Sequence, residues 1–225
     1  MAWHTFRNLE EDFIGVTRYV ALAPENRATW SEKIAQLLLL TGAAVDSVFN
    51  EMRKSSLLPQ TTDVIDLARS SEPNITDYRR VYEPTFQLSS VEVLATHGLT
   101  NYGTIKPFEA FASNQSPGWW TAYNEVKHEF FQNVQKGTLD NLVRALGGLF
   151  VLNILHKDSQ QYLIRSGLIW AGNFDRRIAY WRDYKHVWEH MKNSHVGVHG
   201  DISWDVWVTS EIFLHQFRRD PNAKS

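Results

Sequence analysis

Cysteine is absent from the 225 residues of this chain, which excludes disulfides and thiolate metal sites. Positive charge is not in excess either, because 23 Lys and Arg stand against 25 Asp and Glu. The net charge of −2 does not fit a basic nucleic-acid coat protein, although a local basic groove stays compatible with it. The sequence also has no P-loop, no G-x-G-x-x-G phosphate loop and no G-x-S-x-G nucleophile elbow.

Long apolar runs are missing as well. The most apolar windows, IAQLLLLTGAAV and LGGLFVLNIL, are shorter than the roughly 20 residues that a membrane span requires. The start of the chain, MAWHTFRNLEEDF, is acidic and lacks the apolar stretch of a secretory signal. We therefore predict no membrane association and a cytoplasmic location. The hydrophobic content of 43% is enough for a substantial core.

Apolar residues recur at helical spacing in several stretches, most clearly over 34–52 and 139–154. Thr29, with Glu32 three residues later, predicts a capping box before the first of these helices. Asn74 and Thr138 are predicted N-caps of two further helices.

Pro84 is predicted to end the helix that Asn74 begins. Gly147 and Gly148 lie inside an apolar helix, which indicates that another backbone comes close there. The segments FQLSSVEVLA and DISWDVWVTS fit either a strand or a helix. Together the patterns predict a mainly α protein, with a helical bundle over residues 1–157 and a less regular, aromatic-rich C-terminal extension over 158–225 packed on it.

One segment, PGWWTAYNEVKHEFF at 117–131, combines aromatic residues with polar ones that can do chemistry. A helix from Pro117 to about Gln135 would place five side chains on one face. They are Trp120, Asn124, Lys127, His128 and Phe131.

The polar residues of this face have complementary chemistry. The His128 imidazole can act as a general acid or base, since histidine titrates near neutral pH. The Asn124 amide, one turn away, could orient it, and the Lys127 ammonium could stabilise a phosphate. A packed helix interface containing a hydrogen-bonded Asn–His pair explains the same spacing.

The same residues resemble a known motif. Many α-helical domains of the HEPN superfamily ("higher eukaryotes and prokaryotes nucleotide-binding") carry R-x4–6-H, often as Arg-Asn-x-x-x-His. YNEVKH matches the Asn and His at Asn124 and His128, whereas Tyr123 stands at the arginine position. The segment 18–52 and NLVRALGGLFVLNIL are similar to a HEPN-like family of bacterial proteins with a WW-x-AYN-x-VKH core. The resemblance covers roughly residues 8–155.

This resemblance implies a homodimer that binds RNA or nucleotides between its motif helices. It also implies RNA cleavage without metal or cofactor, often in phage defence or as a toxin. His128 would help to activate a ribose 2′-OH, and Asn124 would orient the site and contact the phosphate. The missing positive charge would come from Lys127 or Arg144. Trp120 and Tyr123 would line the binding cleft.

Two other functions fit the sequence. The first is a non-catalytic dimeric binding or scaffold protein, in which the motif is an interface network. The second is a metal-dependent hydrolase, because HVWEH has the H-x-x-E-H order, with His186 and His190 as metal ligands and Glu189 as base. Glu211 is the available third ligand.

Overall fold

The computed structural model describes residues 2–53, 58, 61–156, 159, 163, 169–171 and 206–217. This part of the chain is mainly helical, as the sequence predicts, with a small antiparallel sheet. The helices are α1 (Ala2–Thr17), α2 (Glu32–Met52), α3 (Thr62–Arg69), α4 (Ile75–Phe86), α5 (Gly118–His128), α6 (Phe130–Asn133) and α7 (Leu139–Leu155). The strands are β1 (Val93–His97), β2 (Thr100–Ile105), β3 (Ile169–Ala171), β4 (Val206–Thr209) and β5 (Phe213–Phe217). None of these helices combines the length and the apolarity that a membrane crossing requires.

Helix α7 lies at the centre of the molecule. It packs against α1, α2, α5 and β1, and nearly all its residues are buried. A helix that is apolar all round is stable only when neighbours cover every face, and each buried Leu or Phe contributes about 1.5–3 kcal/mol. Its one buried amide, Asn153, is satisfied because Nδ2 donates to the Leu149 carbonyl (2.9 Å) and Oδ1 accepts from the Ser159 hydroxyl (2.8 Å).

Two predicted helix caps are confirmed and one is wrong. The Asn74 side chain accepts from the backbone N–H of Asp77 (3.2 Å), and Thr138 accepts from Asn141 (3.2 Å). Thr29 does not cap α2, because its carbonyl accepts from the Leu139 N–H (2.7 Å) in an extended segment. The cap is Ser31 instead, which accepts from the Ile34 N–H at 3.2 Å.

Pro84 does not end α4 as predicted. The helix continues to Phe86, because a proline in the last turn removes only one backbone hydrogen bond, and the chain leaves the helix at Gln87 in the left-handed region (φ 50°).

The expectation of a close backbone at Gly147 and Gly148 is also wrong. A Cβ at Gly147 would meet the Ile105 side chain at 2.8 Å, and a Cβ at Gly148 would meet the Phe108 ring at 3.2 Å. These glycines therefore make room for side chains.

The sheet joins the middle of the chain (β1 and β2) to its C-terminal part (β3, β4 and β5). Its strand order is β2-β1-β5-β4-β3, with antiparallel neighbours throughout. The two segments that the sequence left undecided therefore contain strands, β1 and β4. The Phe213 ring of β5 lies 6.3 Å from that of Phe6 and 5.7 Å from that of Phe150. The described part of 158–225 thus contributes to the same core, and the division at residue 157 stays a prediction.

Glu10 ties α1 to the β4–β5 turn. Its side chain is fully buried and accepts from the Ile212 N–H (3.0 Å), the Ser210 hydroxyl and the Arg7 guanidinium. Arg7 also pairs with Glu211. Burial raises the pKa of Glu10, although hydrogen bonding from Ser210 and Ile212 and the Arg7 charge oppose the rise.

Glu10→Ala is expected to lower the free energy of unfolding by about 2 kcal/mol, because it leaves the buried Ile212 N–H without an acceptor. Urea unfolding followed by circular dichroism measures the change. Glu10→Gln keeps a carbonyl acceptor and removes the buried charge, so it should cost less than half as much. Glu11→Ala is the matched control, since Glu11 is exposed on the same helix. Equal losses for Glu10→Ala and Glu11→Ala would contradict this account.

Candidate functional site

The motif helix α5 is held in place by its first tryptophan. Trp119 is buried, its indole N–H donates to the Pro107 carbonyl (2.7 Å), and its ring meets Phe108 edge-on. The predicted helix to Gln135 is interrupted, because Glu129 has a non-helical backbone (φ −140°, ψ 66°) and α5 ends at His128. Phe131 is therefore not on the continuous face that the spacing predicts, and it is 93% exposed.

Trp120 and Tyr123, predicted to line a cleft, are mostly buried. Their rings lie 5.2 Å apart, and Tyr123 packs so closely on Gly42 of α2 that a Cβ there would lie 2.7 Å or less from three of its ring carbons. The residue at the arginine position of the motif is thus part of the α2–α5 interface.

The three predicted catalytic residues differ in their surroundings. Asn124 is half-buried, and its Nδ2 donates to the Trp120 carbonyl (3.1 Å) on its own helix instead of bonding to His128. Lys127 is exposed, with Nζ 5.5 Å from the centre of the Tyr123 ring. His128 is exposed at the end of the helix. No described residue forms an ion pair with either Lys127 or His128 within 4 Å.

A surface depression of about 540 Å³ adjoins these residues. Its walls come from three helices and the residue before Pro117: Trp120, Thr121, Tyr123, Asn124, Glu125 and Lys127 of α5, Asp46 of α2, residues 73–76 at the start of α4, and Ser116. The volume falls in the range of small-molecule sites. The structure therefore brings four of the six predicted site residues to one concave surface, and His128 lies beside Lys127 outside it. A larger depression of about 970 Å³ at the end of α1 contains none of them.

The sequence did not lead us to predict Asp46 as a site residue. It lies at the edge of the α2 apolar stripe, half-buried and on the wall of the depression. Burial raises the pKa of Asp46, while hydrogen bonding from the Tyr78 hydroxyl and the charge of Lys127 oppose the rise. One sequence signal for Asp46 is its position as a carboxylate beside the apolar positions of a core helix. Burying a carboxylate there without a partner costs free energy.

Arg144 does not supply the positive charge that the motif lacks. Its Nε donates to Asp140 (2.8 Å) and its Nη1 to Glu109 (3.2 Å), away from the depression. Asp140 also accepts from the Tyr102 hydroxyl at 2.6 Å. Arg144 therefore joins α7 to Glu109 in the segment before α5, whereas the bond to β2 is made by its partner Asp140.

The predicted metal ligands His186 and His190, together with Glu189, lie outside the described residues. Within the residues that the structure describes, no group of three or more His, Asp or Glu side chains is arranged to hold a metal ion.

Comparison with known proteins returned no match among family models, curated proteins or solved structures.

Proposed function

We propose that this protein binds RNA or nucleotides through the exposed end of α5 and the depression beside it, in the manner that its resemblance to HEPN-like domains implies. The observation that carries the proposal is the juxtaposition of Lys127, free of any carboxylate within 4 Å among the described residues, with a concave wall formed partly by Trp120 and Tyr123. An ammonium suits a phosphate, and the small parts of the Trp120 (7% exposed) and Tyr123 (4% exposed) rings that reach the surface give the wall an apolar contact for a base.

The local charges set the character of this binding. Two other lysines of the described fold are engaged: Lys136 pairs with Glu125 (2.9 Å) and Lys106 with Glu92 (3.2 Å). Since the whole chain carries a net charge of −2, attraction to a polyanion at this surface comes from Lys127 and not from the overall charge. We therefore expect modest affinity with a shallow dependence on salt.

Lys127→Gln is expected to weaken binding of a labelled single-stranded RNA about fivefold, since an exposed ion contact contributes up to about 1 kcal/mol. It should also reduce the slope of log K against log salt by about 0.7. Fluorescence polarisation in EDTA at several salt concentrations measures both quantities. Lys33→Gln, an exposed lysine on α2, is the matched control. Wild-type protein that binds neither RNA nor a mononucleotide, or the same loss in both variants, would refute the proposal.

Cleavage of the bound RNA is a second candidate function, favoured by the exposure of His128 next to Lys127. Nothing within the described chain orients the imidazole, and a general base requires such an orienting group. A second copy docked over the end of α5 would supply it, and would cover Phe131, which is 93% exposed. Binding without cleavage is favoured because Tyr123 stands at the arginine position of the motif and its ring is packed in the core.

A further inference from the structure

Asp46 gives the depression a preference for ligands that carry hydrogen-bond donors, which the motif residues do not provide. It faces a cavity whose other charged groups on α5 are Lys127 and Glu125. No basic side chain of the described residues pairs with Asp46 within 4 Å. A half-buried carboxylate without an ion pair gains from hydrogen-bond donors that a ligand brings, because burial has removed part of its hydration.

Resting on the proposed nucleotide binding, we infer that the depression is a guanine-selective subsite, in which the Asp46 carboxylate accepts hydrogen bonds from a guanine base while Lys127 contacts the phosphate of the same nucleotide.

The choice of guanine follows from donor geometry. Guanine presents N1–H and N2–H side by side on its Watson–Crick edge, and these two parallel donors match the two oxygens of one carboxylate. Adenine and cytosine each present a single amino group beside an acceptor nitrogen, which the carboxylate repels. Uracil presents one N–H between two carbonyls.

The Tyr78 hydroxyl, which opposes the rise in the pKa of Asp46, does not block this pairing. A carboxylate has about four lone-pair sites, so both oxygens can still accept from the base. Tyr78 is itself buried, and its ring stacks on Phe49 with centroids 4.8 Å apart, so it belongs to the core and is not among the residues that line the depression.

The remaining walls suit a nucleotide. The Asn124 amide nitrogen is engaged by the Trp120 carbonyl, and no described residue donates to its Oδ1, which leaves an acceptor for a further base or ribose donor. A volume of about 540 Å³ is enough for a mononucleotide.

The test compares GMP, AMP, CMP, UMP and IMP by isothermal titration of the full chain. We expect GMP to bind at least about tenfold more tightly than the others, since one bidentate contact is worth about 1–3 kcal/mol. IMP is informative because it keeps N1–H and lacks the 2-amino group. Equal affinity for GMP and IMP, or GMP no tighter than AMP, overturns the inference with wild-type protein alone.

Asp46→Asn should bring GMP affinity down to the AMP level, because the amide turns one acceptor into a donor. Asp66→Asn, an exposed carboxylate on α3, is the control for loss of one negative charge and should leave GMP affinity unchanged. Thermal unfolding checks that both variants fold. RNA binding without guanine preference removes this inference and leaves the proposed function, whereas selective GMP binding without RNA binding keeps the inference and limits the proposed function to nucleotides.

Discussion

His128→Ala is expected to lower metal-free RNA cleavage by about 100-fold or more, because general acid–base catalysis by one histidine typically contributes that much. The substitution should leave stability within about 0.5 kcal/mol, since His128 is exposed at the end of α5 and supports no core contact. Incubating end-labelled single-stranded RNA with the protein in EDTA, followed by gel electrophoresis, measures the rate.

Two controls make the outcome specific to this residue. His4→Ala alters another exposed helical histidine, on α1, and should leave the rate unchanged. Mixing His128→Ala with wild-type protein tests the role of a second copy, because a site shared between two protomers loses activity in the mixed dimer. RNA that survives prolonged incubation with wild-type protein would eliminate cleavage and leave a binding role. Cleavage that persists in His128→Ala would place the chemistry elsewhere.

The sequence predicts those parts of the fold that local patterns determine. The apolar stripe of α2 and the caps at Asn74 and Thr138 depend on residues a few positions apart, so periodicity and capping chemistry were sufficient. The cap at Thr29 failed because a residue far along the chain, Leu139, takes its carbonyl. The strand β1 has one partner, β2, directly after it in the chain, but its other partner, β5, lies more than 100 residues away, and no local signal encodes that pairing.

The sequence likewise predicted only part of the candidate site. Spacing placed Asn124 and His128 on one helix, and the structure keeps them on α5. It did not show that the Asn124 amide bonds to its own helix, because the alternative acceptor is a backbone carbonyl present in any helix. It also did not show that Asp46 of α2 lines the same depression as Lys127 of α5, since that juxtaposition depends on how two helices pack.

The second large expected effect is a loss of stability at Gly42, on which the Tyr123 ring packs. Gly42→Val is expected to destabilise the protein by about 3 kcal/mol, because the added Cβ would lie 2.7 Å or less from three carbons of a ring that the core holds in place. Two further methyl groups increase the overlap, and α2 cannot withdraw without separating from α7, its main neighbour. Urea unfolding measures the change in the free energy of unfolding.

Gly15→Ala is the matched control and should have the opposite sign. Gly15 also lies in a helix, α1, and a Cβ there meets nothing within 4 Å, so alanine should stabilise the protein by up to about 1 kcal/mol through helix propensity. Gly42→Ala, by contrast, should still be destabilising. Adding Tyr123→Ala to Gly42→Val should cost much less than Tyr123→Ala alone, because the clash disappears with the ring. Additive losses in this cycle would show that Gly42 and Tyr123 do not determine how closely α2 and α5 approach, and the wall of the depression would then need another explanation.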